Sequence, residues 1–198
     1  KIDNDNFSFS PNDILTDWLT ANCTPGTTTV YVDMDGVLTE YYQAVATYAT
    51  NNGLLDSGGD WYNLTPEIEL AALAASAGSY FQNLAKRAEA DALIDLVIAK
   101  NGSYEILSTT TSADMTNQKN AWIDANLTGA RAPAARNYAT GFNKGPYGGA
   151  NKLLIDDRLT YVNQFEAAGG KGFKYFESGG IRRFGGREAS VGPVSLVS

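Results

Sequence analysis

The hydrophobic pattern contains three short apolar runs, each of which ends in side chains that carry oxygen. The runs are residues 27–32, 104–107 and 152–155, and the residues that follow them are Asp33 and Asp35, Ser108 and Thr109, and Asp156 and Asp157. Continuous apolar runs of this length predict strands buried on both faces, as in a parallel sheet. Because parallel sheets bind ligands beyond the carboxyl ends of their strands, these polar residues predict a functional site.

Segments with apolar residues at helical spacing separate the runs and predict helices. These segments are residues 11–21, 41–52, 66–77, 88–100, 115–127 and 160–168, and a last strand is expected at 173–176. Strands that alternate with helices predict an α/β fold with a doubly wound, mostly parallel sheet.

The same pattern predicts the domain organisation. The core comprises residues 27–40 and 101–176, residues 41–100 form a small helical cap, and residues 1–26 are an N-terminal extension with a short helix. Residues 177–198 form a Gly-rich tail, in which Arg182, Arg183 and Arg187 lie near one another. A cap inserted after the first strand can exclude water and select the substrate.

Composition excludes several kinds of chemistry. The 198 residues contain no histidine and one cysteine, Cys23, which rules out histidine-based triads, histidine-ligated zinc and an intrachain disulfide. A net charge of −7 argues against a protein that coats nucleic acid or an anionic membrane. No stretch approaches the roughly 20 apolar residues of a membrane span and no signal peptide is visible. We therefore expect a cytoplasmic protein, in the host cytoplasm if a phage encodes it.

Asp33 and Asp35 are poorly explained by folding alone. Close like charges repel and raise one another's pKa unless a cation lies between them. Magnesium prefers a few carboxylates, water and a substrate phosphate, so the turn favours a metal and phosphate site. An acidic turn in which Asp35 caps the following helix is the alternative.

Residues 33–40, DMDGVLTE, resemble motif I of the haloacid dehalogenase-like phosphatase superfamily. The first aspartate of that motif is a nucleophile and the second a general acid and base, which implies these roles for Asp33 and Asp35. Ser108, with Thr109 next, resembles the hydroxyl of motif II that contacts phosphate. A hydroxyl-rich turn that caps the following helix is the alternative for this stretch.

The later motifs follow in order. Asp156 and Asp157, in LLIDDR, resemble the acidic pair of motif IV, which completes the magnesium site. Lys119, in QKNAWIDANL, is similar to a Lys-x-Ala-Trp segment of the family, although a solvated surface lysine is the alternative. Lys144 lies twelve residues before Asp156, in a position that resembles the motif III lysine, and is slightly favoured as the phosphate lysine.

Residues 78–111 resemble a stretch of the 5'(3')-deoxyribonucleotidases and their phage relatives, in which paired aromatics precede a helix that returns to the core. The pair here is Tyr80 and Phe81. The family places an aromatic ring near the base or sugar, which implies a substrate contact for Phe81, and an ordinary buried aromatic is the alternative. The whole resemblance extends over residues 27–176.

The resemblance implies a Mg²⁺-dependent phosphomonoester hydrolase that works through an aspartyl-phosphate. The metal would be bound by Asp33, the backbone carbonyl of Asp35 and one or both of Asp156 and Asp157. We expect the substrate to be a small phosphomonoester, namely a nucleoside monophosphate. A nucleic-acid 3'-phosphate end is an alternative substrate, but the acidic net charge disfavours binding to a polyanion. A non-catalytic module of a larger protein is the other alternative, and base, sugar and oligomeric state stay open.

Overall fold

A parallel sheet is the centre of the computed structural model, which describes residues 11–54, 65–76 and 78–175. Its strands are β1 (Thr29–Val32), β2 (Glu105–Thr109), β3 (Arg136–Ala139), β4 (Lys152–Asp156) and β5 (Lys171–Lys174). The α-helices in the described residues are α1 (Pro11–Asn22), α2 (Tyr41–Asn51), α3 (Pro66–Ala75), α4 (Ala90–Asn101), α5 (Ala113–Asn126) and α6 (Leu159–Ala167). Short 3₁₀ helices occupy Phe81–Asn83, Gly129–Arg131 and Gly145–Tyr147.

The strand order is β3-β2-β1-β4-β5, and every neighbouring pair is parallel. The chain runs outward from β1 to β2 and β3, then returns to the other side of β1 for β4 and β5. The direction of winding therefore changes between β1 and β4, which is where open α/β sheets bind ligands. The prediction of a doubly wound α/β fold is confirmed.

Alternate residues of the strands pack into two apolar clusters, one on each face of the sheet. Val30 and Val32 of β1 join the larger cluster, which also contains Leu15, Trp18 and Leu19 of α1. Tyr31 joins the smaller cluster with Leu107, Leu154, Tyr161 and Phe165. This two-sided burial explains why the centres of β1, β2 and β4 have no alternation of apolar and polar residues.

Two features of the fold differ from the sequence prediction. Strand β3 was not predicted, because its four residues, RNYA, contain an exposed arginine and lie at the edge of the sheet. Helix α4, which the prediction assigned to the cap, contacts β1 and α1 and so packs beside the sheet.

Several sequence predictions fall outside the described residues. These are the first ten residues of the extension, nearly all of the predicted loop at 54–63, the end of the last strand at Phe176, and the tail with Arg182, Arg183 and Arg187. Within the described part of the chain, none of the helices has the length and apolar character that a membrane crossing requires.

Candidate active site

A tight turn after β1 brings Asp33 and Asp35 to the same site. The Asp33 amide still pairs with the sheet, donating to the Ile155 carbonyl oxygen of β4 over 2.9 Å. The next residues curl back, so that the amides of Val37, Leu38 and Thr39 all donate to the carbonyl oxygen of Met34. Both carboxylates consequently line one cavity beyond the sheet.

Gly36 is required at the centre of this turn. Its φ angle is +82°, a conformation that other residues adopt at a cost. A Cβ atom at Gly36 would lie 2.2 Å from Oδ2 of Asp157 and 2.6 Å from Cε2 of Tyr42. The absence of a side chain therefore lets Asp157 approach the turn that carries Asp33.

Three buried carboxylates converge where the winding of the sheet changes. Asp33, Asp156 and Asp157 each offer an oxygen atom within 4.8 Å of the others. The ammonium of Lys144 donates to Oδ1 of Asp33 over 2.7 Å and to Oδ2 of Asp156 over 2.5 Å. If all four groups are ionised, three negative charges and one positive charge leave a net charge of two negative charges, which a divalent cation would balance.

Burial makes this cluster electrostatically costly. The pKa of Asp33 is raised to about 7, because burial and, next, the charge of Asp156 raise it more than Lys144 lowers it. Burial also raises the pKa of Asp156. For Lys144, burial disfavours the charged form, but Asp156 and Asp33 outweigh this effect and its pKa is raised. The clustered carboxylate oxygens fit Mg²⁺, a hard cation that binds oxygen and favours ionised carboxylates.

Asp35 has different partners from Asp33. Its Oδ2 accepts from Lys119 over 2.8 Å and its Oδ1 accepts from the Thr39 hydroxyl over 3.2 Å. Helix α2 begins at Tyr41 after Glu40, so Asp35 does not cap it. The Asp35 carboxylate lies outside the cluster of three, and a metal contact through its backbone carbonyl stays a prediction.

Lys119 and the end of β2 complete the site. The Lys119 side chain is 1% exposed, and its ammonium donates to Ser108 Oγ over 2.8 Å and to the Thr109 carbonyl oxygen over 2.9 Å. Lys119 is therefore not a solvated surface lysine. Helix α5 is capped by Ser112, whose Oγ accepts from the Met115 amide, so the capping alternative does not account for Ser108 or Thr109.

Phe81 lies in a group of aromatic rings with Tyr41 and Tyr80. Its ring stacks on Tyr41, with centroids 6.0 Å apart and planes 9° apart, and Tyr80 meets it edge-on. The Lys119 ammonium lies 4.8 Å from the centroid of the Phe81 ring, within range of a cation–π interaction. Phe81 lines the cavity but is 6% exposed. Most of its ring therefore packs against protein groups such as the Lys119 ammonium, and only a small part can contact a ligand.

The cavity above the carboxylates has a volume of about 420 Å³. Its walls combine aromatic, aliphatic and charged side chains from the sheet end, α2, α3, α5 and the loop after β3. The lining residues are Asp33, Asp35, Tyr41, Tyr42, Glu69, Leu70, Leu73, Phe81, Thr109, Thr111, Met115, Lys119, Phe142, Asp157, Arg158 and Tyr161. A volume in this range is typical of sites for small molecules.

The site residues predicted from sequence are brought together. Most of them line the cavity, whereas three lie behind its wall and contact the lining residues: Ser108, Lys144 and Asp156. Sequence reasoning missed Glu69, whose carboxylate accepts from the Tyr41 hydroxyl over 2.6 Å, as well as Phe142 and Arg158. Arg158 could have been found because it directly follows the acidic pair. Glu69 and Phe142 carry no sequence signal of this kind.

No family model and no curated protein matches the sequence, but solved structures share the fold. The L-2-haloacid dehalogenase from Xanthobacter autotrophicus has a TM-score of 0.50 at 15% identity, over 73% of this chain and 76% of that one. A hydrolase from Streptococcus pneumoniae TIGR4 has a TM-score of 0.50 at 13% identity, over 76% of this chain and 94% of that one. A haloacid dehalogenase-like hydrolase from Xanthomonas campestris has a TM-score of 0.50 at 13% identity, over 75% of this chain and 82% of that one. The chain therefore has the haloacid dehalogenase-like fold.

Proposed function

We propose that the protein is a Mg²⁺-dependent phosphomonoester hydrolase that forms an aspartyl-phosphate on Asp33. The convergence of Asp33, Asp156 and Asp157 at the base of a cavity of about 420 Å³ carries this proposal. Lys144 balances only one of the three buried carboxylates, so the cluster favours a further cation. The three side chains, with the backbone carbonyl of Asp35, are the groups we assign to magnesium.

The proposed reaction has two steps. An Asp33 carboxylate oxygen attacks phosphorus and forms a new P–O bond, while the bond to the leaving alkoxide breaks and Asp35 donates a proton to that alkoxide. In the second step Asp35 accepts a proton from water, the water oxygen bonds to phosphorus, and the bond to Asp33 breaks. Inorganic phosphate leaves, Asp33 is again a carboxylate, and Asp35 is again the protonated acid that began the first step. Bound magnesium supplies positive charge that stabilises the transferring phosphoryl oxygens.

Thr39 and Lys119 position Asp35 for these proton transfers. Each holds a different oxygen of the Asp35 carboxylate, which restricts its rotation. Lys119 also lines the cavity, whereas Lys144 is fully buried between Asp33 and Asp156. We therefore assign phosphate binding to Lys119, with Thr109, and assign to Lys144 the balancing of charge behind the nucleophile. Sequence reasoning slightly favoured Lys144 for the phosphate.

A nucleoside monophosphate is the substrate that we infer. The aromatic walls of the cavity suit a flat base, and the polar groups Glu69 and Arg158 supply an acceptor and donors for its edges or for a sugar. This assignment accords with the resemblance of residues 78–111 to deoxyribonucleotidases.

Dehalogenation is a second reaction to weigh, because one structure with this fold is an L-2-haloacid dehalogenase. Displacement of a halide from carbon also uses a carboxylate nucleophile. A halide leaves without a proton, however, and needs no cation on a phosphoryl group. Asp35 could still accept a proton from the water that hydrolyses the ester on Asp33, but the buried carboxylates of Asp156 and Asp157 would then have no cation to bind, so we favour phosphoryl transfer.

The test is hydrolysis of a panel of ribo- and deoxyribonucleoside monophosphates, with and without Mg²⁺. The panel also contains ethyl phosphate, a 3'-phosphorylated oligonucleotide and 2-chloropropionate. The expected result is release of phosphate from one class of nucleotide only when Mg²⁺ is present. Asp33→Asn, which keeps the shape of the side chain but removes the nucleophile, should lower the rate by at least about 10⁴-fold, with the circular dichroism spectrum unchanged.

The other outcomes are each informative. Turnover of ethyl phosphate without turnover of nucleotides would keep the chemistry and reject the substrate. Release of chloride would replace phosphoryl transfer by dehalogenation. No turnover of any compound would favour a non-catalytic module with this fold.

A further inference from the structure

Large apolar side chains are exposed at few places in the described residues. They are Leu54, at 46% exposure, Leu70, at 65%, and Phe142, at 58%. Two of these three, Leu70 and Phe142, line the cavity above Asp33. They come from separate parts of the chain, helix α3 and the loop after β3. We refer to this pair as the apolar rim.

The backbone at Phe142 adds a second observation. Its φ angle is +54°, in the left-handed region that bulky side chains rarely adopt. Burial does not offset this cost, because the side chain is mostly exposed. Unfavourable conformations of this kind concentrate at functional sites, where surrounding contacts hold them in place.

Such contacts hold the Phe142 loop. The Gln164 side chain on α6 donates through Nε2 to the Phe142 carbonyl oxygen over 3.3 Å, and its Oε1 accepts from the Lys144 amide over 3.1 Å. The Asn143 side chain between them accepts from the Gly145 amide over 2.9 Å. The backbone that positions Phe142 is thus tied to the backbone of Lys144, whose ammonium contacts Asp33.

We propose that the apolar rim is a specificity-determining contact that binds a flat, uncharged leaving group of the phosphate ester. This inference rests on the proposed function, because it concerns the group that Asp33 would release. An exposed aromatic face and an exposed aliphatic side chain at one cavity are suited to a planar apolar group. Glu69 and Arg158, which have opposite charges, line the same cavity, so together they offer no net charge that would attract a charged leaving group.

Two phosphate esters with the same kind of leaving alkoxide test the proposal: 2-phenylethyl phosphate and ethyl phosphate. Phe142→Ala should lower kcat/KM for the phenyl ester about 5- to 10-fold and change that for ethyl phosphate less than about twofold. The loss should appear in KM, because the contact is the same in the ground and transition states. Phe142→Tyr, which keeps an aromatic ring, should restore the preference for the phenyl ester that Phe142→Ala loses. Leu70→Ala should give a smaller loss with the same selectivity.

Leu54→Ala is the matched control, because Leu54 is similarly exposed but does not line the cavity. Leu54→Ala should leave kcat/KM for both esters unchanged. Phe142→Gly removes the ring and also relieves the backbone, so it should lose the preference for the phenyl ester while the melting temperature does not fall. Equal losses for both esters in Phe142→Ala, or no loss for either, would overturn the proposal.

Measurements of ligand binding can test the apolar rim even if the proposed function is wrong. If neither ester is hydrolysed, the proposed function is wrong, and calorimetry with 2-phenylethylphosphonate and ethylphosphonate still tests the rim. Tighter binding of the phenyl compound that is lost in Phe142→Ala would support the rim. Equal binding of the two compounds, or no binding of either, would overturn it.

Discussion

Two lysines at this site are equally buried but have different contacts. Lys119 and Lys144 are each at most 1% exposed, each contacts an aspartate of the first motif, and each lies within 5 Å of an aromatic ring, at 4.8 Å and 4.9 Å. Lys144 contacts two buried carboxylates and is absent from the cavity wall. Lys119 contacts one carboxylate, a hydroxyl and a carbonyl, and it lines the cavity.

The difference shows that burial alone does not define the role of a charged side chain. The two carboxylates beside Lys144 have side chains 7% and 0% exposed, so their charge has little access to water. The carboxylate beside Lys119 is 20% exposed. We therefore expect Lys144 to matter mainly for the integrity of the acidic cluster and Lys119 mainly for substrate turnover.

Replacement of Lys144 should have the largest effect on stability. Lys144→Met leaves Asp33 and Asp156 buried without their cation, and loss of one partner of a buried ion pair costs about 3–5 kcal/mol. Urea denaturation in the presence of a chelator measures this loss. Lys171→Met, at an exposed lysine of β5, is the control and should change the free energy of unfolding by less than about 0.5 kcal/mol. A loss below about 1 kcal/mol in Lys144→Met would contradict the assignment.

Replacement of Lys119 should act mainly on the reaction. Lys119→Met removes one donor to the transferring phosphoryl group and one contact of Asp35, which should lower kcat about 10²- to 10³-fold. Its effect on the free energy of unfolding should be smaller than that of Lys144→Met, because Asp35 retains contact with water. Measurements of kcat and of the urea midpoint on both variants test this comparison. A larger loss of stability in Lys119→Met than in Lys144→Met would contradict the assigned roles.

Metal binding should stabilise the fold through the cluster that contains Lys144. Mg²⁺ at about 100 times its dissociation constant should raise the free energy of unfolding by about 2.7 kcal/mol. Thermal unfolding with Mg²⁺, compared with sodium at equal ionic strength, measures the effect. Asp157→Asn should abolish most of it and Lys119→Met should retain it. An unchanged melting temperature in the wild-type protein would argue against a metal at this cluster.

The turn at Gly36 allows the smallest and most local test. Gly26 also has a positive φ angle, +80°, but a Cβ there would meet nothing within 4 Å. Gly26→Ala thus measures the backbone cost alone, and Gly36→Ala should be less stable than Gly26→Ala by about 1–3 kcal/mol, the cost of overpacking. Gly36→Ala should also weaken stabilisation by Mg²⁺, because it displaces Asp157. Equal stabilities would show that the overlap is relieved without cost.

Much of the fold and of the acidic site could be predicted from the sequence. Strands β1, β2 and β4 are visible as apolar runs, since burial on both faces leaves their central positions apolar. The polar residues at their ends were visible for the same reason, because the contrast with an apolar run is sharp. Edge strand β3 was missed because it is short and partly exposed.

The walls of the cavity could not be predicted in this way. Glu69 lies in a helix whose other residues are ordinary, and Phe142 lies in a loop where one aromatic residue has no periodicity to reveal it. Their importance depends on the positions of α3 and of the loop after β3 relative to the sheet. Contacts between segments distant in sequence decide those positions.

A parallel α/β core and an acidic site at its strand ends follow from the sequence alone, because alternation of short apolar runs with helices permits few other arrangements. Which lysine lies behind Asp33 and which lines the cavity depends on how distant segments of the chain pack together. Both are lysines near an acidic or hydroxyl-rich strand end in the sequence, and they differ only in what surrounds the ammonium after folding. Packing, and not residue type, assigned one to charge balance and the other to the cavity wall.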